Sequence, residues 1–275
     1  MVSLSYPLDG SPMKPSDKAL EVHRRLLRVL GEPPRHRHLD PVSELVCTVI
    51  SQNTNDNLRD QAYNALRKRF STWEEVRDAP VGQVSEAIKI AGLGQTKAPA
   101  IQQALRRITA ERGKLELDFL REMSVEEAKA WLTAMKGVGP KTAAIILLFS
   151  LGMPAFPVDT HVHRVSRRLG LIPLKTSREK AHQILEGLLP PETYYAFHIN
   201  LLRHGRETCG ARRPRCEVCT LRDVCEGYSS SGGNAVTSSI VVASTNSMTS
   251  RSTPRAMPAA AGMSRSSSRN LSASG

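Results

Sequence analysis

Aromatic side chains are scarce in this chain: five Tyr, five Phe and two Trp among 275 residues. A β-sandwich or barrel built on aromatic-rich strands is therefore not expected. Five cysteines at this length are too few for a disulfide scaffold. Long apolar runs are missing as well. The longest, Ala143 to Phe149, is seven residues, against the roughly 20 needed to span a bilayer, so no membrane partner is expected. Residues 1–18 lack the basic start and apolar stretch of a signal peptide, which makes a cytoplasmic protein the expectation.

Acidic residues are absent from Ser229 to Gly275, a stretch that carries Arg251, Arg255, Arg265 and Arg269 and 15 serines. Such a segment buries too little apolar surface to offset its ordering entropy, so residues 228–275 are expected to form a disordered Ser-rich tail. The whole chain has 38 Lys+Arg against 26 Asp+Glu, a net charge of +12. Without the four tail arginines, the body still carries 34 basic against 26 acidic residues. That balance points to a polyanionic partner, most simply nucleic acid.

What is present is helix punctuation. Asp40-Pro41 reads as an N-cap followed by Pro at the first helical position, opening an apolar stretch through Leu45, Val46, Val49 and Ile50. Capping boxes are expected at Ser71…Glu74, Ser124…Glu127 and Thr176…Glu179. Apolar residues recur at helical spacing, as in Ala62, Leu66 and Phe70, and in Leu20, Leu26, Leu27 and Leu30. No alternating strand pattern stands out. The expected fold class is all-α, roughly ten short helices joined by tight loops.

Residues 128–149 read as helix, Gly-rich turn, helix. The first helix is expected over Ala128–Met135 and the second over Thr142–Leu151, around Lys136-Gly137-Val138-Gly139-Pro140. Paired glycines permit positive φ and a close approach of backbone to another molecule. The amides opening the second helix suit a phosphate oxygen, although such a turn is also an ordinary C-cap. Farther on, Cys209, Cys216, Cys219 and Cys225 form C-x6-C-x2-C-x5-C. A zinc ribbon shows two C-x2-C knuckles and this chain has one; four thiolates also suit a [4Fe-4S] cluster. Arg212, Arg213 and Arg215 lie between the first two cysteines, where a metal-held loop would present them to phosphates. Cys47, in an apolar helix, reads as a core residue. His161 and His163 lack a nearby third ligand and do not read as a metal site.

Lys136-Gly137-Val138-Gly139-Pro140-Lys141-Thr142-Ala143, followed by Pro157-Val158-Asp159-Thr160-His161-Val162-His163-Arg164-Val165, resembles the helix-hairpin-helix DNA glycosylases, and among them endonuclease III. The resemblance runs from about residue 18 to 227, with Met135-Lys136 standing where the family usually has Leu-Pro. It implies a two-lobed helix-hairpin-helix glycosylase fold with a C-terminal iron-sulfur cluster loop. Residues 1–17 would be an N-terminal extension, 18–39 plus 154–227 the cluster-containing lobe, and 40–153 the central lobe carrying the hairpin. It also implies that Lys141 attacks the sugar C1′ to form a Schiff base, that Asp159 is the catalytic aspartate, and that the four cysteines hold [4Fe-4S]. Asp159 reads independently as the N-cap of the following helix, a compatible role.

Such enzymes extrude the target nucleotide and fill the gap it leaves. Ile50-Ser51-Gln52-Asn53-Thr54-Asn55-Asp56 resembles the family's plug segment, with Asn53 where a glutamine usually stands and Gln52 one residue earlier. Gly92-Leu93-Gly94-Gln95-Thr96-Lys97-Ala98 resembles its second wedge, with Leu93 as the apolar intercalator and Gly94 and Gln95 in place of Tyr and Asn. That exchange implies a smaller, more mobile tip. Further DNA contacts are expected from Gly137, Val138 and Gly139, and Arg164 is expected either to support the local fold or to contact a phosphate. The implied function is removal of oxidised pyrimidines from duplex DNA by a monomeric enzyme, with strand cleavage at the abasic site by β-elimination. The alternatives are a mismatch thymine/uracil or modified-cytosine glycosylase of the same fold, or a non-catalytic DNA-binding protein.

Overall fold

The computed structural model describes residues 13–34 and 39–229. The expected tail beyond Ser229, and most of the expected N-terminal extension, lie outside these residues. Among the described residues there is no strand, and the all-α expectation is met. The first six helices are α1 (Pro15–Leu30), α2 (Pro41–Ser51), α3 (Asp56–Arg69), α4 (Trp73–Asp78), α5 (Val81–Ala87) and α6 (Gly94–Arg112). They are followed by α7 (Val125–Thr133), α8 (Pro140–Ile145), α9 (Thr160–Leu169), α10 (Arg178–Leu188), α11 (Tyr194–Glu207) and α12 (Glu226–Ser229).

Caps set the starts of these helices. Asp40 accepts hydrogen bonds from the Val42 and Ser43 amides, Asn55 from Leu58, and Ser124 forms the expected box with Glu127. Two caps sit one residue later than the sequence suggests. Thr72, not Ser71, forms the box, with Glu75, and the helix it starts buries Val76 fully. Ser177, not Thr176, caps α10 through the Lys180 amide, which buries Ala181, His182 and Leu185.

Apolar faces gather into two buried clusters. One draws on α2 to α8 and the π-helical turn Ile146–Ser150 that extends α8, with Leu45, Ile50, Leu66, Ile101 and Leu147 at its centre. The other joins Ala19, Val22 and Leu26 of α1 to Phe156, Val162, Val165, Phe197 and Leu201. The chain thus passes between clusters after α1 and again near Ala155–Phe156. The clusters meet where Phe149, at the end of the π turn, packs edge-on against Tyr195 and His198 of α11. A lysine–glutamate pair, Lys129 Nζ to Glu186 at 2.8 Å, fastens α7 to α10. The same carboxylate accepts the Phe156 amide at 2.8 Å, which fixes the second crossing immediately before Asp159.

Candidate active site and nucleic-acid interface

Between the two clusters runs an open groove of about 1100 Å³. The outward face of α2 supplies one wall. Its core-facing residues are Leu45, Val46, Val49 and Ile50, so the complementary face at i, i+3, i+4 and i+7 presents Glu44, Cys47, Thr48 and Ser51 to the groove. Cys47 is therefore half-buried on a groove wall and not the core residue its apolar helix suggests. Burial raises its thiol to about 12, so it stays protonated and is no nucleophile. Burial also raises the Glu44 carboxyl above its ordinary value, against the opposing hydrogen bond from Thr48.

Lys141 and Asp159 both line this groove. Lys141 stands exposed in the first turn of α8, and among the described residues its ammonium has no hydrogen-bond or ion-pair partner. Asp159 is 7% exposed. It caps α9, accepting the Val162 amide at 2.7 Å, which holds the carboxylate in one orientation. Both charges act on His198 beneath the groove. Burial lowers that imidazole to about 4; the Asp159 carboxylate opposes the shift and the Lys141 ammonium adds to it. His198 donates through Nδ1 to the Pro157 carbonyl, 2.8 Å away, and His182 Nδ1 does the same to the Phe156 carbonyl, also at 2.8 Å. Two largely neutral histidines therefore grip the backbone that delivers Asp159. Nothing in the linear sequence marks them, since each is 26 or 41 residues from the carbonyl it holds.

The hairpin follows the expected pattern with shifted ends. Gly137 has φ +85°, and a Cβ there would lie 3.1 Å from Ala100 Cβ, so glycine is required by the turn itself. Gly139, the N-cap of α8, has φ −92° and open space around it. Val138 is buried in the first cluster, which removes its side chain from the expected DNA surface and leaves Gly137 and Gly139 facing outward. The structure separates Gln52 from Asn53. Gln52 Nε2 donates to the Gly137 carbonyl at 2.8 Å and braces the hairpin, while Asn53 is exposed with φ +54°. Leu93 is 57% exposed with φ +55°. These two are the only non-glycine residues with positive φ among the described residues, and both are at the expected wedges. Gly94 is packed, not loosened: a Cβ there would lie 2.8 Å from the Ser85 carbonyl oxygen, so its glycine draws the start of α6 against α5.

Of the two roles expected for Arg164, its hydrogen bonds match support of the local fold. Its guanidinium donates to the carbonyls of Gly205 at 2.8 Å and Cys209 at 3.0 Å, tying α9 to the end of α11. Arg212 and Arg213 are exposed. Arg215 is exposed too, but donates to the Glu207 carbonyl.

Cys209, Cys216, Cys219 and Cys225 all line one cavity of about 460 Å³. Four thiols ringing one cavity are a donor set that fits an iron-sulfur cluster. Burial raises Cys219 and Cys225, and the neighbouring thiols push the same way. Arg168 Nη1 donates to Cys209 Sγ at 3.2 Å and to the Gly210 carbonyl at 2.7 Å, and His204 Nε2 lies 3.7 Å from Cys219 Sγ. The sequence gives no sign of these supporting partners.

Residues 46–191 match the family described as HhH-GPD superfamily base excision DNA repair protein. Endonuclease III of Thermotoga maritima is 33% identical over 74% of this chain and 91% of its own length. A putative DNA glycosylase of Arabidopsis thaliana is 38% identical over 65% of this chain, and the match spans 62% of that longer protein. The fold superimposes on endonuclease III from a non-covalent complex with DNA with a TM-score of 0.69 at 25% identity, covering 80% of this chain and 99% of that one. The chain belongs to the HhH-GPD superfamily of base excision DNA repair proteins and is an endonuclease III-like DNA glycosylase.

Proposed function

We propose that this enzyme is a bifunctional glycosylase and AP lyase acting on oxidised pyrimidines in duplex DNA. The observation that carries the reading is the placement of an unpartnered, exposed Lys141 and a buried, capped Asp159 on one groove. Deprotonated Lys141 Nζ attacks C1′ of the extruded nucleotide, the C1′–N bond breaks, and the base departs with the bonding pair and a proton. Asp159 stabilises the positive charge developing on the sugar, takes up the proton shed by the attacking amine and returns it to the departing base. The nitrogen lone pair then opens the sugar ring by breaking the C1′–O4′ bond, O4′ taking a proton from water, and the resulting protonated imine acidifies C2′–H. Loss of that proton expels the 3′-phosphate and cleaves the strand. Asn53 and Leu93 occupy the space vacated by the flipped nucleotide, and the outward backbone of Gly137 and Gly139, with Arg212 and Arg213, meets phosphates. Preference for oxidised pyrimidines rests on the likeness to endonuclease III.

Cys209, Cys216, Cys219 and Cys225 would hold a [4Fe-4S] cluster, which supplies a rigid, charged anchor for the arginine-bearing loop. Iron and sulfide analysis of the purified protein tests this, and stoichiometric zinc without iron would refute it.

Borohydride reduction on an abasic duplex should trap a covalent adduct with the native enzyme and none with Lys141→Ala. An equal adduct yield from Lys141→Ala would overturn the mechanism. Asp159→Asn should keep the groove but slow excision by a factor on the order of 10² to 10⁴. Single-turnover cleavage of duplexes carrying thymine glycol, dihydrouracil, uracil or a G·T mismatch ranks the substrates.

A further inference from the structure

The mechanism leaves one charged group unused. Lys97, in the first turns of α6, is 3% exposed and has no carboxylate partner among the described residues. A buried ammonium without a counter-ion is costly, and burial lowers its pKa. Its hydrogen bonds explain why it is tolerated. Nζ donates to the Ile50 carbonyl at 2.8 Å and to the Ala91 carbonyl at 2.9 Å.

Each of these carbonyls lies at the C-terminal end of a helical segment: Ile50 in the last turn of α2, and Ala91 at the end of the 3-10 turn Lys89–Ala91. Such carbonyls have no onward helical partner, and the ends carry negative dipole charge. Each also lies just before a wedge tip. Asn53 follows Ile50 by three residues, and Leu93 follows Ala91 by two. The two tips are the positive-φ residues that require their surroundings to hold them. The two segments are more than 40 residues apart in sequence, and Lys97 Nζ is bonded to the base of both.

We propose that Lys97 is a positioning residue that staples the two DNA-inserting tips to a common point and so sets their separation, without touching DNA. This rests on the reading that Asn53 and Leu93 insert into the duplex. A cation suits the task because a neutral donor would not neutralise two converging helix ends. A longer or shorter side chain would shift one tip relative to the other.

The test is binding of the full-length protein to a duplex containing a tetrahydrofuran abasic analogue, beside the same duplex undamaged. Lys97→Met should weaken binding to the abasic duplex by roughly tenfold, as expected for losing two charge-assisted hydrogen bonds in the bound geometry. Affinity for undamaged DNA, which needs no insertion, should stay essentially unchanged. Asn53→Ala and Leu93→Ala should each weaken abasic binding, and Lys97→Met should add little on either background, because the staple acts through the tips. Should Lys97→Met not fold, Lys97→Gln, neutral but still a donor, carries the same comparison. Losses that simply add, or a parallel loss on undamaged DNA, would reduce Lys97 to a core residue and overturn the proposal. If neither tip variant changes abasic binding, the insertion reading itself fails and this inference falls with it, an outcome distinct from additivity.

Discussion

Gln52 and Asn53 show how much one residue of register matters. The family-like spacing places Asn53 where a glutamine usually stands, with Gln52 beside it, and only three dimensions separate their work. Gln52 is tied to the Gly137 carbonyl, so Gln52→Ala should cost about 1 kcal/mol of stability, seen as a lower Tm, with a small effect on excision. Asn53 is exposed at a strained backbone position, so Asn53→Ala should leave Tm nearly unchanged and slow excision by an amount that depends on the opposite base. Arg164 repeats the lesson. An arginine in a basic motif invites a phosphate, yet its donors are engaged by the Gly205 and Cys209 carbonyls. Arg164→Gln should therefore lower Tm and leave the slope of log K against log salt unchanged, whereas Arg213→Gln should reduce that slope by roughly one contact. As candidates, Lys141, Asp159 and the four cysteines stand out in the sequence because their motifs are short and local, and the structure places the first two on one groove and the four thiols on one cavity. Lys97, His182 and His198 do not stand out, because their partners are set by packing between distant segments.

At the scale of elements, the hairpin separates two reasons for a glycine. Gly137 needs its left-handed backbone and its missing Cβ for the fold, since Ala100 stands 3.1 Å from where a Cβ would be. Gly139 needs neither, because its φ is −92° and nothing lies within 4 Å of a built Cβ. Gly137→Ala should thus destabilise the protein, with the strain of a positive φ costing on the order of 1 kcal/mol or more. Gly139→Ala should fold normally and lose affinity for all duplexes alike, because its open face is where a phosphate would approach. Equal affinity in Gly139→Ala would remove the hairpin from the interface. Element existence was readable from caps and periodicity, while element boundaries were not. Ser71-Thr72-Trp73-Glu74-Glu75 satisfies the capping pattern in two registers, and the local string alone does not choose between them; in the structure Thr72 and Glu75 form the box. The same holds for Thr176 and Ser177, of which Ser177 caps α10.

At the scale of the molecule, the two cores and the groove between them concentrate titratable groups where sequence composition spreads them evenly. His23, His182 and His198 are each pushed below the ordinary histidine value of 6.5 by burial, His198 to about 4. In the unfolded chain they take up protons near pH 6.5, and in the folded protein they resist until lower pH. The unfolded state therefore binds more protons across that window, and stability falls as pH drops from about 6.5 toward 4, by roughly 1.4 kcal/mol per unit of separation for each group. Carboxylates held low by partners, such as Asp56 beside Arg206, lose their contribution only below their ordinary range, so they do not confuse the upper part of the window. Glu44 works the other way, since its raised carboxyl binds a proton more readily in the folded state, and it offsets part of the loss at the acid end. His198→Gln isolates the effect. Glutamine can still donate to the Pro157 carbonyl but does not titrate, so the fall in Tm between pH 7.5 and 5 should be shallower than in the native protein, any acid sensitivity of the cysteine loop being common to both. A Tm profile that runs parallel for the two proteins would mean that His198 titrates alike in folded and unfolded chains, and that its burial beneath Asp159 and Lys141 does not hold in solution.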